Sequence, residues 1–258
     1  MTELHAAVLG VLQGAGEFLP VSSSAHLALA PRLLGWQYQG LAYDVMLHLG
    51  TLGAVALYFA KDWLKIFRDG FAAPRSPDGR LLWLLVLASL PAAVAGVLLN
   101  HLAETAFRNP LWIAFNLVFF SVFIWLADRR PRQTLAEDAL TARDALLIGL
   151  AQCLALMPGA SRSGMTIMAA LFLGYRRSSA ARLSFLLSTP VIFGAALLES
   201  RKIAPAQLDA AFAWGLGAAF VSGLAFIWLL MSWLQKRDLK PFLAYRVALG
   251  AYIFWLFR

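Results

Sequence analysis

The sequence predicts an all-α integral membrane protein, an inverted-topology repeat of six transmembrane helices plus two re-entrant helical hairpins. Three observations predict it. Of the 258 residues, 60% are hydrophobic and 14% charged, against about 25% charged in a soluble domain, so much of the surface needs a non-aqueous solvent. Six apolar stretches reach or approach the ~20 residues that cross a bilayer. Two further apolar stretches are interrupted by Pro and Ser at matching places in the two halves. Broken hydrophobic segments so placed mark inverted repeats around a site at the bilayer midplane.

The elements follow in order. The chain opens on the first interrupted stretch, Leu4–Leu34. Only Glu3 and His5 precede its apolar run, so it lacks the basic start of a signal peptide. The spans Leu41–Ala60, Leu81–Leu99 and Leu111–Ala127 come next, with 61–80 expected as a loop. The second interrupted stretch, Ala145–Gly174, precedes the spans Leu183–Leu198, Ala210–Leu234 and Phe242–Phe257. Irregular backbone at membrane depth is tolerated only where it lines a protein cavity. One repeat is therefore expected over 1–127 and the other over 140–258. The first interruption runs Gln13 to His26 through Pro20 and three serines, and the second runs Gln152 to Gly164 through Pro158 and two serines. The two prolines give an offset of 138 residues (158 − 20). Leu47-His48-Leu49-Gly50-Thr51 and Leu187-Ser188-Thr189-Pro190 recur at a similar offset. Three spans per half is an odd number, which inverts the second half relative to the first.

Charge sets the orientation. The formal charge of +8 does not indicate nucleic acid as a partner, because the basic residues sit in short loops between apolar segments. With each interrupted segment entering and leaving on one side, 15 Lys and Arg fall on one face and 5 on the other, leaving Arg162 and Arg246 inside apolar segments. The rich side is cytoplasmic, and both termini lie outside. The single cysteine, Cys153, permits no intrachain disulfide and is expected as a small buried residue.

Ionisable residues inside apolar segments are costly and mark function. Here they are Glu17, His26, His48, Arg162 and Arg246, with Asp44 near a segment start. Pro20 is followed by Ser22, Ser23 and Ser24, one of which is expected to cap the helix that continues through His26. Ser23 and His26 lie three apart and share a helical face, a nucleophile-and-base arrangement. Glu17 is expected as a metal ligand or as the partner of His26 or Arg162. Around Pro158, the residues Ser161, Arg162, Ser163 and Thr166 open an apolar helix. A helix N-terminus offers free N–H groups to phosphate, hydroxyls add donors, and an arginine can hold phosphate bidentately. With the hairpins tip to tip, these groups form a mid-membrane anion site for a lipid that carries phosphate. His48 is expected as a satisfied buried histidine. His101, beside Asn100 and Glu104, is expected at the interface, and Arg246 as a structural ion pair or interface anchor.

Gln13-x-x-x-Glu17 followed by Phe18-Leu19-Pro20-Val21-Ser22-Ser23-Ser24-x-His26, with Pro158-Gly159-x-Ser161-Arg162-Ser163-x-x-Thr166 later, closely resembles the undecaprenyl-pyrophosphate phosphatase family linked to bacitracin resistance. The resemblance covers almost the whole chain. It implies hydrolysis of undecaprenyl pyrophosphate to undecaprenyl phosphate and inorganic phosphate, which recycles the lipid carrier of cell-wall synthesis. It also implies a bacterial cytoplasmic (inner) membrane location with the site open to the periplasm. Carried over residue by residue, the acidic motif matches Gln13 and Glu17, the serine and histidine match Ser23 and His26, and the arginine motif matches Ser161, Arg162, Ser163 and Thr166. Ser22 and Ser24 join the phosphate-binding set. The resemblance implies a divalent cation, Mg2+ or Ca2+, with Glu17 as its candidate ligand. The first motif position varies between Glu and Gln in the family, and Gln13 leaves one carboxylate here. Serine and histidine both stand as candidate nucleophiles.

The expected partners are a polyprenyl diphosphate lipid, membrane lipid, and a second copy of the chain in a homodimer. The competing function is a polyprenyl-phosphate transporter or flippase, since broken helices in inverted repeats are a transporter pattern. A carrier needs donors but no nucleophile and base, and the Glu17, Ser23 and His26 cluster separates the two. A phosphatidic-acid type phosphatase would need a histidine after Ser161-Arg162, and the last histidine is His101.

Overall fold

The computed structural model describes residues 1–104, 108–130, 133–203 and 208–258. The side chains of Asn100, His101 and Glu104, and the whole of Arg132, lie outside the described residues. Among the described residues the chain forms eleven α-helices and no strand.

The first interrupted stretch folds as α1 (Glu3–Phe18) and α2 (Ser23–Leu34). Thr2 caps α1 by accepting from the His5 N–H. Pro20 has no N–H to continue the helix, and the chain turns back within four residues, 19–22. The spans α3 (Leu41–Tyr58), α5 (Pro77–Glu104) and α6 (Pro110–Asp128) follow. The second interrupted stretch gives α7 (Ala142–Cys153), a short 3-10 turn at Leu154–Leu156, and α8 (Arg162–Phe172). The last three helices are α9 (Arg177–Glu199), α10 (Ala210–Trp233) and α11 (Lys240–Phe257).

One helix was not expected. The chain bends at Phe59 and continues as α4 (Ala60–Ala72), where the sequence predicts a loop. Trp63, Ile66 and Gly70 are its buried residues, whereas Lys61, Lys65 and Arg68 are exposed or partly so. The signal is 3.6-residue periodicity at low mean hydropathy, which a search for apolar runs passes over. Leu64 and Phe71 on α4 are also 73% exposed, as suits a helix lying at a membrane surface. Arg182 of α9 donates to Asp62 of α4 at 2.8 Å and contacts Glu137 at 3.2 Å, pinning α4 and the 137–139 turn to the same end.

Among the described residues, five helices are long and apolar enough to cross a membrane: Leu41–Tyr58, Pro77–Leu99, Pro110–Asp128, Arg177–Lys202 and Ala210–Trp233. Helix α11, expected as a sixth span, is not among them, and Lys240 and Arg246 lower its mean hydropathy. Large apolar side chains are exposed on most of these helices, including Leu98, Phe193, Leu197, Trp214, Val221 and Trp228. A surface of that kind needs lipid rather than water.

The packing partners fall into matched pairs. Helix α1 packs on α10 and α7 on α5, α3 packs on α10 and α9 on α5, while α3 meets α9 and α6 meets α11. The α1–α10 contact is close because it is made by small residues. A Cβ at Gly10 would lie 2.1 Å from the Gly215 carbonyl oxygen, and one at Gly14 2.0 Å from the Ser222 hydroxyl. Small residues four apart let helix backbones approach in a membrane. This contact brings the end of α1, with Gln13 and Glu17, into the interior.

Candidate active site

Both hairpin turns are built around a serine. Ser22 and Ser161 hold φ at 74° and 76°, left-handed values that are unfavourable for a residue with a Cβ. Each offsets this by capping the helix it opens: the Ser22 hydroxyl accepts from the Ala25 N–H at 3.4 Å, and Ser161 from Gly164 at 3.1 Å. Each also meets the hydroxyl two residues on, Ser24 or Ser163, at 3.2 Å. The equivalence is thus 139 residues (161 − 22), which also aligns Gln13 with Gln152. The prolines, 138 apart, are not structurally equivalent: Pro20 corresponds to Gly159.

The two turns are locked together. The Gly159 N–H donates to the Ser22 hydroxyl at 3.0 Å, and the Ser163 hydroxyl to the Leu19 carbonyl at 3.1 Å. Arg246 of α11, fully buried, donates to the Pro20 carbonyl at 3.2 Å, the Gly159 carbonyl at 2.7 Å and the Ser121 hydroxyl at 2.8 Å. One guanidinium therefore grips the equivalent carbonyl of each turn. The expectation of an ion pair or interface anchor is corrected. The partners of Arg246 are neutral oxygens, because helix ends and turns present carbonyls that a planar fork of donors can satisfy at once.

Glu17, at the end of α1, sits between the turns and is buried. Its Oε1 accepts from Arg162 at 2.8 Å. Its Oε2 accepts from the Ser23 hydroxyl at 2.7 Å and from Gln13 Nε2 at 3.3 Å, and His48 Nε2 lies 3.3 Å away. The Arg162–Glu17 pair joins residues 145 apart in the chain and closes one hairpin on the other, as the tip-to-tip arrangement requires. Arg162 also donates to the Ser184 carbonyl at 2.6 Å. The Thr166 hydroxyl donates to the Arg162 carbonyl at 2.9 Å and meets the Ser184 hydroxyl at 2.7 Å, which orients that helical turn. Arg162 retains N–H groups beyond these bonds, since a guanidinium carries a donor on every nitrogen, and its side chain is 12% exposed. Ser24 and His26, at the start of α2, are half-exposed.

Ser23 and His26 do not pair. The Ser23 hydroxyl is aimed at Glu17. The His26 ring turns back on its own helix, with Nδ1 at 2.7 Å from the Ser22 carbonyl and Nε2 at 2.6 Å from the Tyr245 hydroxyl. A carbonyl only accepts, so Nδ1 bears the proton and Nε2 accepts from Tyr245. Sharing a face three residues apart placed the pair on one side of α2, but the strong acceptor nearest Ser23 comes from α1.

His48 also departs from expectation. It is a member of the site. Its Nδ1 donates to the Asp44 carbonyl at 2.7 Å, so its contact with Glu17 is attractive only with a proton between Nε2 and Oε2. Thr51, one turn on, takes a weak bond of 3.5 Å from Gln13. Asp44 is held by Arg108 at 3.0 Å and by the Tyr38 hydroxyl at 2.8 Å, and Arg108 donates to Tyr38 as well. The sequence reading missed Thr51, Ser184 and Tyr245. Thr51 carried a faint signal as part of the repeated Leu47-His48-Leu49-Gly50-Thr51 stretch.

A family model described as "Bacitracin resistance protein BacA" matches residues 6–252. The chain belongs to the BacA family. Relatives span its whole length. It is 53% identical over 253 residues to the undecaprenyl-diphosphatase of Elusimicrobium minutum, covering 98% of this chain and 97% of that one. It is 46% identical over 261 residues to the undecaprenyl-diphosphatase of Moorella thermoacetica, covering all of both. With the undecaprenyl-diphosphatase of Hahella chejuensis it shares 44% over 268 residues.

Family membership and the apolar helices together make this BacA-family chain a multi-pass membrane protein. Its site does not suit a resident divalent cation on Glu17. Such ions take several hard oxygen ligands, yet among the described residues no three His, Cys, Asp or Glu side chains gather as a metal site. Both Glu17 oxygens already receive donors from Arg162, Ser23, Gln13 and His48.

Proposed function

We propose that this protein hydrolyses undecaprenyl pyrophosphate to undecaprenyl phosphate and inorganic phosphate, recycling the lipid carrier for cell-wall synthesis and so conferring resistance to bacitracin. The observation that carries the reading is the Ser23–Glu17–Arg162 constellation. A hydroxyl lies on a carboxylate at 2.7 Å, and that carboxylate lies on an arginine at 2.8 Å, between two helix N-termini. The three relatives are named for hydrolysis rather than carriage.

Phosphoryl transfer depends mainly on positioning and charge stabilisation. Arg162 and the N-termini of α2 and α8 would hold the terminal phosphate, with Ser24, Ser161, Ser163 and Thr166 shaping the pocket wall. Ser23 Oγ would attack the terminal phosphorus while its proton passes to Glu17. The bond from that phosphorus to the bridging oxygen breaks, and the lipid phosphate leaves with the electron pair. Water then releases inorganic phosphate from the serine. His26, held by Tyr245, would contact the diphosphate from the open side once that hydroxyl moves. Mg2+ or Ca2+ is expected to neutralise part of the diphosphate charge.

We further propose six spans, α11 included, with α1–α2 and α7–α8 as re-entrant hairpins. The halves 1–127 and 140–258 would form inverted repeats, and the basic loops would set the site toward the periplasm of a bacterial inner membrane. The matched packing pairs and the twin serine turns support this. The test is phosphate release from undecaprenyl pyrophosphate by purified protein in detergent, beside His26→Ala and Arg162→Ala. Release by the wild type that Arg162→Ala abolishes is the expected result. No release by folded wild type refutes it.

A further inference from the structure

We infer that this chain keeps no divalent cation of its own: His48 and Arg162 occupy Glu17 from both sides, and the cation arrives already chelated by the diphosphate. This rests on the phosphatase reading, and it departs from the expectation that Glu17 ligates Mg2+ or Ca2+.

Donors crowd both oxygens of Glu17. Oε1 is taken by Arg162 at 2.8 Å, and Oε2 by Ser23 at 2.7 Å with Gln13 and His48 at 3.3 Å. A cation on either oxygen would have to displace a guanidinium or an imidazole and then sit beside it, where like charges repel. His48 is fixed in that place. Its other nitrogen donates to the Asp44 carbonyl one turn back on α3, and the Asp44 carboxylate is in turn held by Arg108 and Tyr38. Second ligands are scarce. Gln13 stands where a second carboxylate would complete a pair four residues from Glu17. Its Oε1 is buried with no donor among the described residues, but a lone neutral amide oxygen is a poor holder of a divalent ion. The diphosphate supplies the hard oxygens that the protein lacks. Mg2+ is commonly bound through substrate phosphates rather than by an all-protein cage.

The test is equilibrium dialysis of lipid-free, detergent-purified full-length protein against radiolabelled Ca2+ at millimolar concentration, a readout separate from activity. The wild type is expected to bind none stoichiometrically. Gln13→Glu, which places a second carboxylate about where Gln13 Nε2 lies 3.3 Å from Glu17, is expected to gain one ion per chain when combined with His48→Gln. In turnover, the wild-type rate should follow the concentration of metal–diphosphate complex and not that of free metal. Stoichiometric Ca2+ binding by lipid-free wild type overturns the inference, whatever the variants do. Failure of hydrolysis would instead refute the phosphatase reading, and the dialysis result would still stand.

Discussion

Replacing Arg246 with methionine isolates the clamp between the two hairpin turns. Its three hydrogen bonds, to the Pro20 and Gly159 carbonyls and the Ser121 hydroxyl, span 2.7–3.2 Å inside a fully buried environment. Arg246→Met leaves two buried carbonyls without this donor, at about 1–3 kcal/mol each. Against this, it removes a buried charge whose desolvation costs several kcal/mol. The two contributions oppose, so thermal stability should shift only modestly. Activity should not be spared. The turns carry Ser22, Ser23, Ser161 and Arg162, and a displacement of about 1 Å at a phosphoryl-transfer site costs about 100-fold in rate. Arg246→Lys keeps the charge, but a single ammonium cannot match a fork directed at both turns, so it should fail nearly as badly. The assay is phosphate release from undecaprenyl pyrophosphate, with melting followed in the same detergent. Near-normal turnover in Arg246→Met would refute the clamp. Full rescue by Arg246→Lys would show that charge, and not the bridging geometry, is what matters.

Other substitutions test separate parts of the argument. Ser23→Ala should lower kcat at least about 100-fold, the scale of a lost catalytic group, while Ser24→Ala, half-exposed and bonded to Ser22 at 3.2 Å, should lose far less; equal loss in phosphate release would remove Ser23 as nucleophile. Arg162→Lys should be severely impaired because one ammonium cannot keep the bonds to Glu17 and the Ser184 carbonyl and also hold phosphate bidentately, and near-normal release would count against bidentate phosphate holding. Gly10→Leu drives a side chain into the Gly215 carbonyl, which a Cβ alone would meet at 2.1 Å; it should lower the melting temperature and activity together, and an unchanged melting curve would contradict the close α1–α10 contact. A cysteine at Phe67, placed in a Cys153→Ala background, should resist a membrane-impermeant thiol reagent added to intact cells; labelling from outside would invert the proposed orientation.

What could be read in the sequence was local. Hydropathy located long apolar helices, as with Leu111–Ala127 against Pro110–Asp128, because a lipid-facing helix must be apolar along its length. Pro20 and the serines after it marked the hairpin turn, since a missing N–H and a capping hydroxyl act within one helical turn. The motif residues placed Glu17, Ser23 and Arg162 in one site. Helix α4 escaped because its information lies in periodicity rather than in apolar content.

The tertiary structure decided which groups meet. Spacing along α2 grouped Ser23 with His26, yet Glu17 of α1 and Tyr245 of α11 took them separately. His48 read as one more buried histidine until α3 packed beside α1 and set its ring 3.3 Å from Glu17. Arg246 lies 226 residues from Pro20 and 87 from Gly159, and no local pattern connects them. Backbone hydrogen bonding and transfer from water fix helices one segment at a time, so sequence alone determined the class of protein and the place of its turns. Side-chain pairing across helices depends on how closely two backbones approach and at what rotation, and here the small residues at Gly10 and Gly14 set that only once α10 was in contact with α1.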